Sequence, residues 1–556
     1  MAGRLCGFIA ICLTPKLSPS SAVSSLLPTD KHTLYSKIAM LGLCRLWAFI
    51  WFLLDWELLA CGISPYYRND PAADLRARLS REAQIFLPGS EGYENATQRW
   101  SRLATPAFAI VVAPRTERDI QETVRYANEK DSTFLAIGGR HGVANALNNA
   151  QNAIGIWTRA MRTITVHEPL VNGTGTATVE PGVEAGELTS TLFAQGKVGA
   201  STACDCVGVM GAMLGGGHGF LQGRYGLTAD NLVSARVVTA DGGRVVTASA
   251  SENADLFWAL RGAGHNFGVV ASVEYRVFDR TPATDAWAYE EYIFSHDQLE
   301  RVYELANGMI GGPVELTHYG HFERRTSVDA DHLTFFFPCL QPVLPFWVIW
   351  QGPEIPSRYT EPLRALGPLL PPKAAVVDIT QLNGVAGADF SSPFCGHGAD
   401  ITLAPVGLRR WNVTALRKAF DIYSALPLRL QGSAALLEGY ATEAVQRVPE
   451  ADTAVPDRFN NLLASPVMIA APRDDERGED GYESDVPDEL YEYAERFRTA
   501  LVEGSGGKLH AYVNYASGDE GLEAIYGYDQ WRLEKLRRLK QTWDPKGRMD
   551  FYNPIL

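Results

Sequence analysis

The 556-residue chain has no basic surplus: 50 Lys and Arg stand against 64 Asp and Glu, a formal net charge of −14. Phosphate backbones are gripped by clustered cations, so a general nucleic-acid surface is excluded and small-molecule partners are favoured. Cysteine is scarce in the body of the chain. Cys6, Cys12, Cys44 and Cys61 lie near the N-terminus, which leaves Cys204, Cys206, Cys339 and Cys395, too few for a disulfide scaffold. The pairing of Cys339 and Cys395 is open at this level. No apolar run reaches the roughly 20 residues that span a bilayer, and no internal repeat is present. Gly215-x-Gly217 and Gly262-x-Gly264 carry Phe220 and Phe267 where the dinucleotide fingerprint needs its third glycine. Gly506-Gly507-Lys508 has Val502 at the first P-loop glycine, Cys204-x-Cys206 has no matching pair, and His167-Glu168 has no second histidine. A P-loop and a zinc site are thereby excluded.

Apolar residues make up 46% of the chain, enough for one or two large cores. From Met40, the run Leu41 to Leu54 is apolar apart from Arg45, and its length is that of a signal-peptide core. Residues 1–63 are therefore read as a targeting region for the secretory pathway, with a membrane anchor as the alternative and no stable span expected after processing. Sequons at Asn95, Asn172 and Asn412 suit that route.

From Phe108 the pattern sharpens. Phe108 to Val112 reads as a strand, Thr116-Glu-Arg-Asp119 as a helix cap, and Ile120, Val124 and Ala127 as one apolar helical stripe. Phe134 to Ile137 is a second strand, ending at Gly138-Gly139-Arg140-His141-Gly142. Strands at Ile154–Trp157, Ile164–Val166 and Ala177–Val179 and a helix at Glu184–Ala194 precede the densest glycine cluster, Gly215-Gly216-Gly217-His218-Gly219. A hairpin around Asp241-Gly242, a helix from Asp255 to Arg261 and a strand from Val269 to Phe278 follow. Beyond Arg280 the spacing predicts longer helices and strands with Pro-rich loops at Pro338–Pro345 and Pro368–Pro372, an acidic surface loop at Asp474–Glu489 and a basic helix at Trp531–Lys540.

Backbone N–H groups in glycine turns approach a pyrophosphate closely because no Cβ intervenes, so strand-terminal glycine clusters suggest a nucleotide cofactor held by something other than a Rossmann fold. Five segments in order, Pro114 to Gly142, Cys204 to Asn231, Asp255 to Gly268, Tyr512-Val-Asn-Tyr515 and Asp544-Pro545, resemble the berberine bridge enzyme-like FAD-linked oxidases of the vanillyl-alcohol oxidase superfamily. Fungal members of natural-product pathways are most similar. The resemblance implies an α+β fold: an FAD-binding domain over 64–280, an inserted substrate domain of antiparallel sheet and helices over 281–501, and a segment 502–556 completing the FAD domain. It also implies that His141 bonds the 8α-methyl of the flavin and Cys204 its C6, with Cys206 as competitor. Gly138, Gly139, Arg140, Gly142, Gly215, Gly216, Gly217, His218, Asn266 and Asn514 become cofactor-shell candidates.

Oxidation of a C–H bond by flavin needs a group to take a proton as hydride leaves. The resemblance points to Tyr515 as base, with Tyr512 second, and strand alternation would put these two on opposite faces. Glu438, a carboxylate in an apolar run, is a further candidate base, although an outward-facing strand position is the plainer reading of it. His318-Tyr319-Gly-His321 and Phe346 to Trp350 are candidate pocket or core residues. The expected activity is hydride transfer from a secondary-metabolite intermediate to FAD, with O2 as the final acceptor giving H2O2. A secreted carbohydrate oxidase and a catalytically silent flavin-binding protein are the alternatives.

Overall fold

Thr116 caps the helix Glu117–Glu129, its hydroxyl accepting from Asp119 N while the Asp119 carboxylate accepts from the Thr116 N–H. Ile120, Val124 and Ala127 are fully buried on one face of that helix. It connects two parallel members of a four-stranded sheet in which Gln151–Trp157 lies between Ala107–Ala113 and Phe134–Ile137, with the antiparallel Gln84–Phe86 at the edge. The helix is the crossover that parallel pairing requires.

A second, antiparallel sheet centres on Gly268–Asp279, between Thr174–Val179 and Leu232–Thr239. Its apolar face shares one core with the end of the chain: Val237, Val273 and Tyr275 pack in the same cluster as Val513, Leu533, Leu536 and Ile555. The third sheet is antiparallel and eight-stranded, built from strands between Trp287 and Ala470. Alternation gives it two faces. Phe322, Phe346, Val348 and Leu437 meet helices Leu299–Asn307, Val413–Ser424 and Val486–Gly504. The opposite face supplies residues to the cavity described below.

The computed structural model describes residues 72–171, 173–330, 333–470 and 486–556, and Asp74–Leu556 forms one unit. The targeting region, the sequon at Asn172 and most of the acidic segment lie outside the described residues. Among those described, no helix is long and apolar enough to cross a membrane.

Two local readings are corrected. The stretch Pro338–Pro345 is not a loop but part of the strand Leu333–Gln351. Proline cannot donate to a ladder, and pairing with the neighbour Leu316–Ala330 lapses between Gly320↔Phe346 and Glu323↔Val343, the interval that holds Pro345. Pairing on the other side continues through Ile293↔Pro345. Tyr512 to Tyr515 is likewise no strand. The Tyr512 carbonyl accepts from Tyr515 N at 2.9 Å and Ala516 N at 3.0 Å, closing a helical turn.

Candidate active site

Residues from all parts of the unit converge on one cavity of about 310 Å³. One wall is the Gly138 to Gly142 turn that ends the strand Phe134–Ile137. Gly139 is packed so tightly that a Cβ would lie 2.4 Å from Gly208 N and 3.0 Å from Cys206 O, contacts only hydrogen permits. Arg140 takes the left-handed conformation there, φ +67°, which a glycine would adopt without strain. His141 stacks beside Trp100 at 5.5 Å and meets His397 edge-on at 5.9 Å. Its Nε2 is buried with no hydrogen-bond partner. Burial, then the neighbouring His397, Arg140 and Arg99, push its pKa down to about 3, so the ring is neutral and keeps a lone pair.

The opposite wall is the sheet. Tyr319 stands directly across from Glu438 in register, and His321 across from Leu436. These four line the cavity with Leu403 and Val467, themselves a register pair. Glu438 is buried, contrary to the outward-facing reading. Its Oε1 accepts the Tyr515 hydroxyl at 3.1 Å, and a second hydrogen bond joins it to Tyr440. Desolvation raises its pKa to about 7 despite both bonds, which favour the carboxylate. Burial, and after it the charge on Glu438, hold the Tyr515 and Tyr440 phenols well above their usual range.

Because 512–515 is a turn, Tyr512 and Tyr515 sit side by side, ring centroids 5.1 Å apart, and both line the cavity. The Tyr512 oxygen accepts from Asn514 Nδ2 at 2.7 Å and Gly217 N at 3.0 Å. Burial nevertheless leaves its pKa pushed up to about 12. Gln222 donates to Ala441 O, so its Oε1 accepts from His218, whose Nδ1 is 2.9 Å away. That bond fixes the proton on Nδ1 and leaves His218 beside Tyr512.

Cys204 lines the cavity as a free thiol, whereas Cys206 is joined to Cys395. Cys206 therefore has no thiol to offer and drops out as an anchor. Gly215, Gly216, Gly217 and Asn266 do not line this cavity. A Cβ on Gly215 would fall 2.1 Å from Asn514 Oδ1 and one on Gly217 2.5 Å from Thr228 Oγ1. These glycines let the turn press against its neighbours. Asn266 is buried under the tail, its side-chain amide donating to Tyr526 Oη at 3.2 Å while its backbone carbonyl accepts from Lys540 Nζ. Phe346 and His318 belong to the far side of the sheet, where His318 Nε2 accepts from Trp411 Nε1. Tyr440, Arg99, Trp100, His397 and Tyr552 escaped sequence reasoning. Tyr440 had a signal: it lies two residues after Glu438, the spacing that puts two side chains on one face.

Residues 108–249 match the model of an FAD binding domain. The chain is 34% identical over 500 residues to FAD-linked oxidoreductase chyH of Penicillium rubens, covering 88% of this chain and 94% of the relative. Among solved structures it resembles BBE-like 1 of Physcomitrella patens, TM-score 0.70 at 20% identity over 87% of this chain and 98% of the other. A similar likeness, TM-score 0.70 at 20% identity over 86% and 98%, holds for the glucooligosaccharide oxidase of Acremonium strictum, described with a 6-S-cysteinyl, 8α-N1-histidyl FAD. The chain belongs to the FAD-linked oxidoreductases, and its fold is that of the berberine bridge enzyme-like proteins.

Proposed function

We propose that this enzyme is an oxidase of a small, largely apolar organic substrate, an intermediate of secondary metabolism, with Glu438 as the final proton acceptor. In this reading the FAD domain is residues 64–280 plus 502–556, and 281–501 forms the substrate side. The donor chemistry fits a tethered flavin: a neutral buried imidazole with an unpartnered nitrogen, a cavity-lining thiol and a glycine turn along the cavity wall. His141 would hold the 8α position and Cys204 the C6 position. Bound there, FAD supplies a two-electron acceptor for hydride, reoxidised by O2 to H2O2.

The chain's own part is proton management. A substrate O–H or acidic C–H beside Tyr515 gives its proton to the phenol oxygen as the phenol proton passes to Glu438, so no free phenolate forms. Tyr440 holds the carboxylate from its other side. Leu403, Leu436 and Val467 keep bulk water from this pair and favour an apolar substrate. The arrangement that carries the reading is the buried Glu438 carboxylate between two tyrosines, at a pKa of about 7. Carbohydrate oxidation is the second reading, favoured by the fold shared with an oligosaccharide oxidase. An apolar alcohol turned over while oligosaccharides are refused separates the two.

Only the deprotonated carboxylate accepts a proton. The rate of substrate-driven flavin bleaching should therefore rise about tenfold per pH unit below 7 and level off above it. A flat profile in stopped-flow measurements from pH 5 to 9 removes Glu438 from the role. Acid precipitation tests the tethers. Flavin should stay with the wild-type polypeptide and with His141→Ala or Cys204→Ala, each still held by the other bond, and come free only when both are replaced. Complete release from the wild type sinks the tethered reading.

A further inference from the structure

Cys204, Cys206 and Cys395 bring three sulfurs within 4.8 Å of one another. The Cys204 sulfur lies 3.7 Å from that of Cys206, which is bonded to Cys395 across 189 residues. Cys206 sits in the turn before the helix Val209–Leu214, and Cys395 ends the short helix Pro393–Cys395. Side-chain and backbone bonds pin the two loops together, since Asn383 Nδ2 donates to Asp205 Oδ1 at 2.7 Å and Asp205 N to Ala388 O at 2.9 Å. Three sulfurs so close can pair in three ways, and only one pairing leaves Cys204 a thiol.

We propose that the Cys206–Cys395 disulfide is a guard: by occupying the two sulfurs beside Cys204, it keeps that residue a thiol and so reserves it for the flavin. The inference rests on the reading of Cys204 as the second flavin anchor. With either guard cysteine missing, the remaining one is an unpaired thiol within bonding reach of Cys204. The two then give up two protons and two electrons to a disulfide donor, the same class of oxidant that makes Cys206–Cys395, and an S–S bond forms. Cys204 in a disulfide has no sulfur to give the cofactor. Left free, Cys204 would give its sulfur to the flavin ring carbon, and the thiol proton, the displaced ring hydrogen as a proton and two electrons would pass to O2 as H2O2.

With the guard in place, exchange is the remaining hazard. In it the Cys204 thiolate would attack one guard sulfur, break the existing S–S bond and expel the other guard cysteine as a thiolate, which takes up a proton. Burial opposes this by pushing the Cys204 thiol up to about 11, so it is protonated at neutral pH. Backbone N–H groups of Cys206 and Val207 are hydrogen-bonded at its sulfur, ready to support the thiolate when it forms.

The test compares wild type, Cys206→Ser, Cys395→Ser and the doubly substituted chain, each purified with its flavin. Free thiols are capped at acid pH before denaturation, and non-reduced peptides are mapped by mass. In each single variant, flavin on the Cys204 peptide should fall by a factor of about three or more. A Cys204–Cys395 or Cys204–Cys206 disulfide should take its place, with the His141 tether kept. The double variant lacks both guard sulfurs and should recover the Cys204 tether. Full flavin attachment to Cys204 in both single variants overturns the proposal. So does a double variant that loses the tether as the single variants do, since the disulfide would then act only by holding the loops. If the wild type carries no flavin on Cys204, the anchor reading fails by itself, and the same maps still decide the guard. Cys204 paired in the single variants but free in wild type supports it, and Cys204 free in all of them overturns it. A Cys206→Ala/Cys395→Ala chain replaces the serine pair if that does not accumulate.

Discussion

Glu438→Gln should slow substrate-driven flavin bleaching by roughly 10²–10⁴-fold, the usual worth of a positioned general base, while flavin content and fold stay unchanged. The amide is nearly isosteric and its carbonyl can still accept the Tyr515 hydroxyl, now 3.1 Å from Oε1. What it cannot do is take a proton. Tyr515→Phe removes the intermediate carrier but leaves the carboxylate in the cavity, so its loss should be smaller, about tenfold to a hundredfold, and the pH dependence should persist. Stopped-flow reduction with flavin absorbance as the readout separates these cases. A Glu438→Gln enzyme reduced at the wild-type rate means the proton goes elsewhere, and Tyr512, at a pKa of about 12, would be the next residue to test.

Asp230→Ala should cost about 3–5 kcal/mol of stability, as the loss of one partner from a buried ion pair does. The Asp230 carboxylate takes Arg458 Nη2 at 2.7 Å and Nη1 at 3.0 Å, and also caps Leu227 N at 2.9 Å. The two side chains are 5% and 2% exposed. Without Asp230, the guanidinium keeps only the Thr453 hydroxyl and the Val445 carbonyl, leaving its charge unpaired in a place water does not reach. The pair also ties the turn after the Gly215–Gly219 cluster to residues following the third sheet's Ala434–Gly439 strand, so loosening it should lower flavin retention. Arg125–Glu122 is the control: at 44% and 14% exposed it is a surface contact, and breaking it should cost less than about 1 kcal/mol. Urea unfolding of the two variants gives the comparison. Equal midpoints would mean that solvent or a rearranged neighbour satisfies Arg458.

Local signals in the chain proved legible wherever neighbouring residues settle the structure. The Thr116 cap, the Ile120–Val124–Ala127 stripe, the Asp241-Gly242 turn and the helix at Trp531–Lys540 all depend on interactions a few residues long, and they are as expected. The Pro338–Pro345 reading failed because proline was weighed as a breaker. Pro345 falls where one ladder lapses while the other continues, and Pro342 keeps its register opposite Arg324. The turn at 512–515 was misread for a similar reason: a four-residue motif matches strand or turn equally well until its carbonyls find partners.

By itself, the sequence determined the family, the glycine turns, the neutral histidine's place among them and which residue types are available for proton transfer. Which of them meet was decided only by the tertiary structure. Glu438 and Tyr515 are 77 residues apart and Cys206 and Cys395 are 189 apart, and no local spacing encodes either contact. The carboxylate's pKa of about 7 likewise comes from sheet burial, because desolvation depends on everything packed around a group and on nothing within its own few residues.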